Sequence, residues 1–278
     1  MHAAPVTCAG LPAGASHYGR DTAGWYLQQA RTRHIFVARR LLTHEARAWH
    51  APRQLLKLGA AGSAALNVSD RFLLWDADMI ALAPLSWTSD DGLRAVRHVG
   101  GGRVKTYGAA YGRLTGGERL AAAPDGSSFV THAMLLDRRH VDDMLRAFAR
   151  SGAASDGDDD TQLPRWAAAI LGALPSKPRN ALHLGFSEYA SYASWVAAHA
   201  PGEVQLAPRR LWTRHPLGSR WAVVAARAAH PAGLCCPTRR ALAATAAQGW
   251  LYTGWEVGHV AWLCGYDHQR HAAGYGKM

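Results

Sequence analysis

Hydrophobic positions along the chain alternate between short continuous runs and helical stripes. Residues 72–75 are an unbroken apolar run, the character of a parallel strand covered on both faces, and Asp76 and Asp78 interrupt the apolar stretch just beyond it. A second strand-like run covers 128–136, and behind it Val141, Met144, Leu145 and Phe148 form one apolar face of a helix. Residues 162–174 repeat the helical spacing through Leu163, Trp166, Ile170 and Leu174. Ser187 is placed to cap a helix running through Tyr192, Trp195 and Val196, with Glu188 in its first turn. From Gln54 a further helical pattern passes through Leu55, Leu58, Ala61 and Ala65. Residues 104–111 read as a strand or edge hairpin, and 211–216 as a last short strand or loop.

These elements alternate as in an α/β protein. They define a core over 54–216, preceded by a disordered or peripheral tail at 1–23 and by a helix with an Arg-rich insertion at 24–53. Residues 217–278 show no clear period and take no assignment.

Open α/β sheets collect ligands at the carboxyl ends of their strands, where Asp76 and Asp78 fall. On an extended segment, side chains two apart share a face, so both carboxylates can converge on one hard cation able to hold a diphosphate. The formal net charge of +11, from 31 Lys and Arg against 20 Asp and Glu, suits phosphate-bearing partners in general and selects none. Cys8, Cys235, Cys236 and Cys264 lack the C-x-x-C spacing of a zinc site. Gly100, Gly101 and Gly102 have no phosphate-loop frame around them and read as a turn. Neither a signal peptide nor a membrane-spanning apolar stretch is visible, which makes the cytoplasm the default location.

Asp-Ala-Asp after a hydrophobic strand, then Ser-Phe-Val-Thr-His at 128–132, then Phe-Ser-Glu-Tyr at 186–189, resembles the GT-A fold of nucleotide-diphospho-sugar glycosyltransferases. More narrowly, it is similar to a branch with W-D-A-D, F-V-T-H-H-M and F-S-E-Y motifs. The resemblance covers about residues 54–216. It implies a three-layer mixed sheet with helices on both faces, and a metal-dependent transferase moving sugar from a nucleotide-sugar donor to a hydroxyl acceptor. By the same resemblance Asp76, Asp78 and His215 hold Mn²⁺ or Mg²⁺, Asp76 and Asp78 also bind donor diphosphate and ribose, His132 lines the acceptor or donor cleft, and Glu188 is the catalytic base. The branch has a second histidine where this chain has Ala133, and nothing in 1–53 resembles a nucleotide-base-binding segment.

Two other readings stay open. A haloacid-dehalogenase-like phosphatase also uses D-x-D after an apolar strand, with Asp158 to Asp160 as later metal acids and Lys105 for phosphate, although Ile80 stands where that family has Thr or Val. A non-catalytic basic protein would need an Arg and aromatic face, which the 11 tryptophans could supply, but Trp75, Trp166 and Trp195 fall at core positions. Nucleic acid is therefore not the expected partner, and donor sugar, acceptor and oligomeric state are not encoded in any motif.

Overall fold

A computed structural model of the chain describes residues 54–63, 66, 68–76, 78–100, 105–151, 164–174, 185–208, 210–215, 217, 221, 222, 225 and 239–255. The expectations for the tail at 1–23, the Arg-rich segment of 24–53, Leu163, Asp158 to Asp160 and the four cysteines lie outside these residues.

The protein is mixed α/β, with helices and, among the described residues, three small sheets. Its strands are β1 (Arg71–Trp75), β2 (Met79–Ala81), β3 (Ala95–Arg97), β4 (Ala133–Asp137), β5 (Val204–Leu206), β6 (Trp212–Thr213) and β7 (Tyr252–Gly254). Its helices are α1 (Lys105–Thr115), α2 (Arg138–Ser151), α3 (Arg165–Ala173), α4 (Glu188–His199) and α5 (Arg239–Ala246), with a 3-10 turn at Pro201–Glu203 and a further helical segment at 54–59. Two compact units result. The described residues of Asp76–Leu85 and Leu211–Met278 form the smaller, and those of Ala23–Trp75 and Ser86–Arg210 the larger. The boundary between Trp75 and Asp76 passes through the span that the sequence pattern treats as one core.

In the larger unit β1 pairs antiparallel with β4, from Arg71 opposite Asp137 to Trp75 opposite Ala133, while β3 and β5 form a separate parallel pair. This corrects the expectation of a parallel, doubly covered strand at 72–75. Phe72 is buried but Leu73 is 41% exposed, so the run has one packed face. Period alone does not separate a doubly covered strand from an apolar strand in a two-stranded antiparallel pair.

The stripe on α2 behaves as its spacing dictates: Val141, Met144, Leu145 and Phe148 are all buried. Phe148 meets Tyr111 and Phe186 edge-on, each at 6.3 Å between ring centroids, and Ile170 of α3 joins the same core. Burying side chains of this size contributes about 1.5–3 kcal/mol each, so this helix face is one of the anchors of the unit. Residues 105–111, expected as part of a strand or edge hairpin, lie in the helix Lys105–Thr115 because Tyr107, Ala110, Tyr111 and Leu114 follow the i, i+3, i+4, i+7 spacing; the last three are buried. The tyrosines and Val104 mask that period with β-forming character.

Arg97 crosses between the two strand pairs. It is 3% exposed, its guanidinium lies 4.8 Å from the Tyr192 ring centroid, and its Nη1 donates to the Leu135 carbonyl of β4. Burial holds this guanidinium below its usual range, opposed by Tyr192 and Asp137. The Tyr192 hydroxyl in turn accepts from the Asp137 amide at 2.7 Å.

In the smaller unit β7 is the central strand of a sheet ordered β2, β7, β6. It runs antiparallel to β2 and parallel to β6. Trp212 and Tyr252, both fully buried, stack at 5.9 Å. Thus a strand from the region 217–278, which has no readable period, completes this sheet. Among the described residues no helix is long and apolar enough to cross a membrane.

Candidate functional site

The sheet of the smaller unit gathers one group of candidate residues. Asp76 and Asp78 lie in the turn after β1, where the Met79 amide donates to the Asp76 carbonyl at 3.0 Å. The segment is therefore a turn and not the extended stretch expected, since Asp is well suited to turn positions. The two acids are consequently unequal: Asp76 is half-buried and Asp78 exposed. Asp78 immediately precedes β2, whose first residue, Met79, pairs with Gly254 at the end of β7. His215 follows β6 by two residues, and β6 runs parallel to β7. These strand directions put Asp78 and His215 at the same end of the sheet.

That end is held tightly. The Trp255 amide donates to the Asp78 carbonyl at 2.6 Å, and the Thr213 hydroxyl donates to the His215 carbonyl at 3.0 Å. A Cβ on Gly254 would lie 2.3 Å from the Arg214 carbonyl oxygen, so only glycine allows the end of β7 to approach the backbone beside His215.

The larger unit holds the other group. Ser187, with φ −138° and ψ 121°, caps α4 by accepting from the Ala190 amide at 3.3 Å, as its place in the sequence predicts. Glu188 is then the first residue of the helix and 4% exposed. Its Oε1 takes the Lys57 ammonium at 2.6 Å, and that ammonium also sits 4.8 Å from the centroid of the Tyr189 ring. A carboxylate buried this deeply needs a charged partner, and Lys57 supplies it. His132 adopts φ 59°, a left-handed conformation uncommon outside glycine, and its half-buried ring is 6.5 Å from the Tyr189 ring. Glu188 and His132 thus share Tyr189 as a neighbour.

The five expected residues therefore divide between two units, Asp76, Asp78 and His215 in one and His132 with Glu188 in the other; the ligand atoms of Asp76, Asp78 and His215 are not gathered into a cluster that could hold a metal ion, as those of Asp137, His140 and Glu203 are. Lys57 was not singled out by sequence pattern, because its partner lies 131 positions away.

A third cluster also escapes motif reading. Asp137 ends β4, His140 stands in the first turn of α2, and Glu203 belongs to the 3-10 turn; one ligand atom from each lies within 4.8 Å of the others. The His140 Nε2 is 2.9 Å from Glu203 Oε2, and Arg139 Nη2 is 2.6 Å from the same oxygen. The bond to His140 is the main cause holding the Glu203 carboxyl below its ordinary range, with the charges of His140 and Arg139 adding to it against partial burial. Beside the cluster an open groove of about 550 Å³ is lined by Arg146, Arg150, Trp195 and His199 among others. The available sequence signal was Asp-x-x-His at a strand-to-helix junction.

No protein-family model, no curated protein and no solved structure matches this chain.

Proposed function

We propose that the chain is a metal-dependent glycosyltransferase of GT-A type, transferring a sugar from a nucleotide-sugar donor to a hydroxyl acceptor. The observation that carries this reading is that the strand directions set Asp78 and His215, far apart in sequence, at the same end of the β2, β7, β6 sheet. Two carboxylates and an imidazole suit Mn²⁺, and the exposure of Asp78 leaves it accessible to a cation and a diphosphate. When bound, the ion offsets charge that develops on the departing nucleoside diphosphate. Asp78 is assigned as its main ligand, Asp76 as a ligand that also reaches the donor ribose, and His215 as the third.

Glu188 is assigned the acceptor proton. With Oε1 held by Lys57, Oε2 takes the proton as the acceptor oxygen bonds to the anomeric carbon and the bond from that carbon to the diphosphate breaks. The fixed helix start and the ion pair keep the carboxylate oriented for this role. His132 is assigned to the donor.

The test is a panel of nucleotide-sugars incubated with Mn²⁺ and with chelator. Nucleoside diphosphate should appear only with metal, and Glu188→Gln should depress transfer to added acceptors while largely sparing donor binding. Absence of metal-dependent release across the panel overturns the reading. Phosphate trapped on Asp76 would point instead to the phosphatase.

A further inference from the structure

The cluster at the start of α2 has the composition of a cation site and owes nothing to the resemblance. Asp137 is fixed by the strand register that sets it opposite Arg71, and by its amide's hydrogen bond to Tyr192. Three residues on, His140 is 7% exposed and directs Nε2 to Glu203. Glu203 comes from the turn after α4, 63 positions from His140. Two carboxylates and one imidazole are the donor set of first-row divalent ions, Zn²⁺ above all when histidine is present.

A cation already occupies this place. The Arg139 guanidinium reaches Glu203 at 2.6 Å and Asp137 at 4.0 Å, while Arg71 stands 3.7 Å from the other Asp137 oxygen. The Arg139 side chain is 61% exposed, so releasing it breaks surface ion pairs, interactions of small net value, and its 3.3 Å contact with His140 Nε2. An exposed monovalent cation bridging two carboxylates beside a buried imidazole is readily displaced by a divalent one that also takes the nitrogen.

We infer that Asp137, His140 and Glu203 form a divalent-cation site, of Zn²⁺ type, for which the Arg139 guanidinium is the resident competitor. The site lies wholly within the larger unit and uses none of Asp76, Asp78 or His215. It stands or falls separately from the glycosyltransferase reading.

The experiment is calorimetric titration of the metal-free full chain with Zn²⁺, in an Asp78→Asn background that removes the main ligand assigned to the other candidate cation site. His140→Gln and Glu203→Gln should each weaken one binding event by about ten-fold or more, and Arg139→Gln should strengthen it. Circular dichroism checks that each variant is folded; of the two ligand variants, that at Glu203, 39% exposed, is the less able to disturb packing. Co²⁺ in place of Zn²⁺ should give a visible spectrum of nitrogen and oxygen ligation that His140→Gln changes. The inference is overturned by no Zn²⁺ binding, by an affinity unmoved in both ligand variants, or by a sulfur charge-transfer band indifferent to His140→Gln, which would assign the metal to cysteine. An Arg139→Gln variant that binds no more tightly would remove the competitor role.

Discussion

Lys57→Met removes the ammonium facing Glu188 and keeps most of the aliphatic stem. The carboxylate left behind is 4% exposed, with its partner formerly 2.6 Å away. Deleting one member of a buried pair costs about 3–5 kcal/mol, since the other charge stays uncompensated. Losing the ammonium's position 4.8 Å from the Tyr189 centroid adds roughly 0.5–1 kcal/mol. Two effects work the other way. The Lys57 side chain is 26% exposed, so water enters on its side, and the α4 N-terminus favours a negative charge at its first residue by about 0.3–1 kcal/mol. The expected net loss is therefore about 2–3 kcal/mol, or roughly 5–10 °C in melting temperature for a chain of this size. Urea unfolding at pH 7 followed by circular dichroism measures it. Adding Glu188→Gln to Lys57→Met should return most of the loss, because a neutral amide buries far more cheaply than a lone carboxylate. A single-variant loss under about 0.5 kcal/mol, or a double variant no more stable than Lys57→Met, would refute the claim that Lys57 sustains a buried charge.

Asp78→Asn should weaken Mn²⁺ binding with little change in melting temperature, because the residue is exposed and its backbone carbonyl still accepts from Trp255; equal affinity by calorimetry would count against its role. Burial pushes the His98 imidazole down to about 4, so between pH about 6.5 and 4 the unfolded chain takes a proton that the folded chain refuses. Stability should fall as pH drops through that window, by on the order of 2–3 kcal/mol in all, and denaturation of His98→Gln at pH 7 and 4.5 should show that much less pH dependence. Gly254→Ala should cost about 1–3 kcal/mol or more, since the new Cβ meets a backbone oxygen at 2.3 Å and no side chain can yield there; a melting temperature equal to wild type would mean the end of β7 is looser than described.

Some of this architecture is local enough to be read from sequence. The α2 stripe, with every predicted inward residue buried, and the Ser187 cap with Glu188 behind it depend on neighbours within a few positions. The direction of β1 does not. An apolar run reports burial, whereas antiparallel pairing with β4 is decided by residues some sixty positions on. Three-residue β7 carries no period at all, and its burial follows from being flanked by β2 and β6. The candidate sites divide in the same way. Asp76, Asp78 and Glu188 stand out as acids in apolar contexts, but Lys57 is an ordinary lysine in a helical segment until the fold brings it to Glu188. Asp137 and His140 are readable as an i, i+3 pair at a helix start, while Glu203 joins them only through the turn after α4.

Arg97 bears on the order in which the molecule assembles. The β1–β4 and β3–β5 ladders can each close by themselves, and the side chain of Arg97 reaches from one to the other through the Leu135 carbonyl. A guanidinium cannot shed its charge, so it leaves water only when the Tyr192 face and that carbonyl are both ready to receive it. Docking of α4 should thus come before the two ladders lock, which makes Arg97 a late contact. In folding kinetics, Arg97→Met should then speed unfolding while leaving the folding rate nearly unchanged, a φ-value near zero; a value near one would place the desolvated arginine in the nucleus.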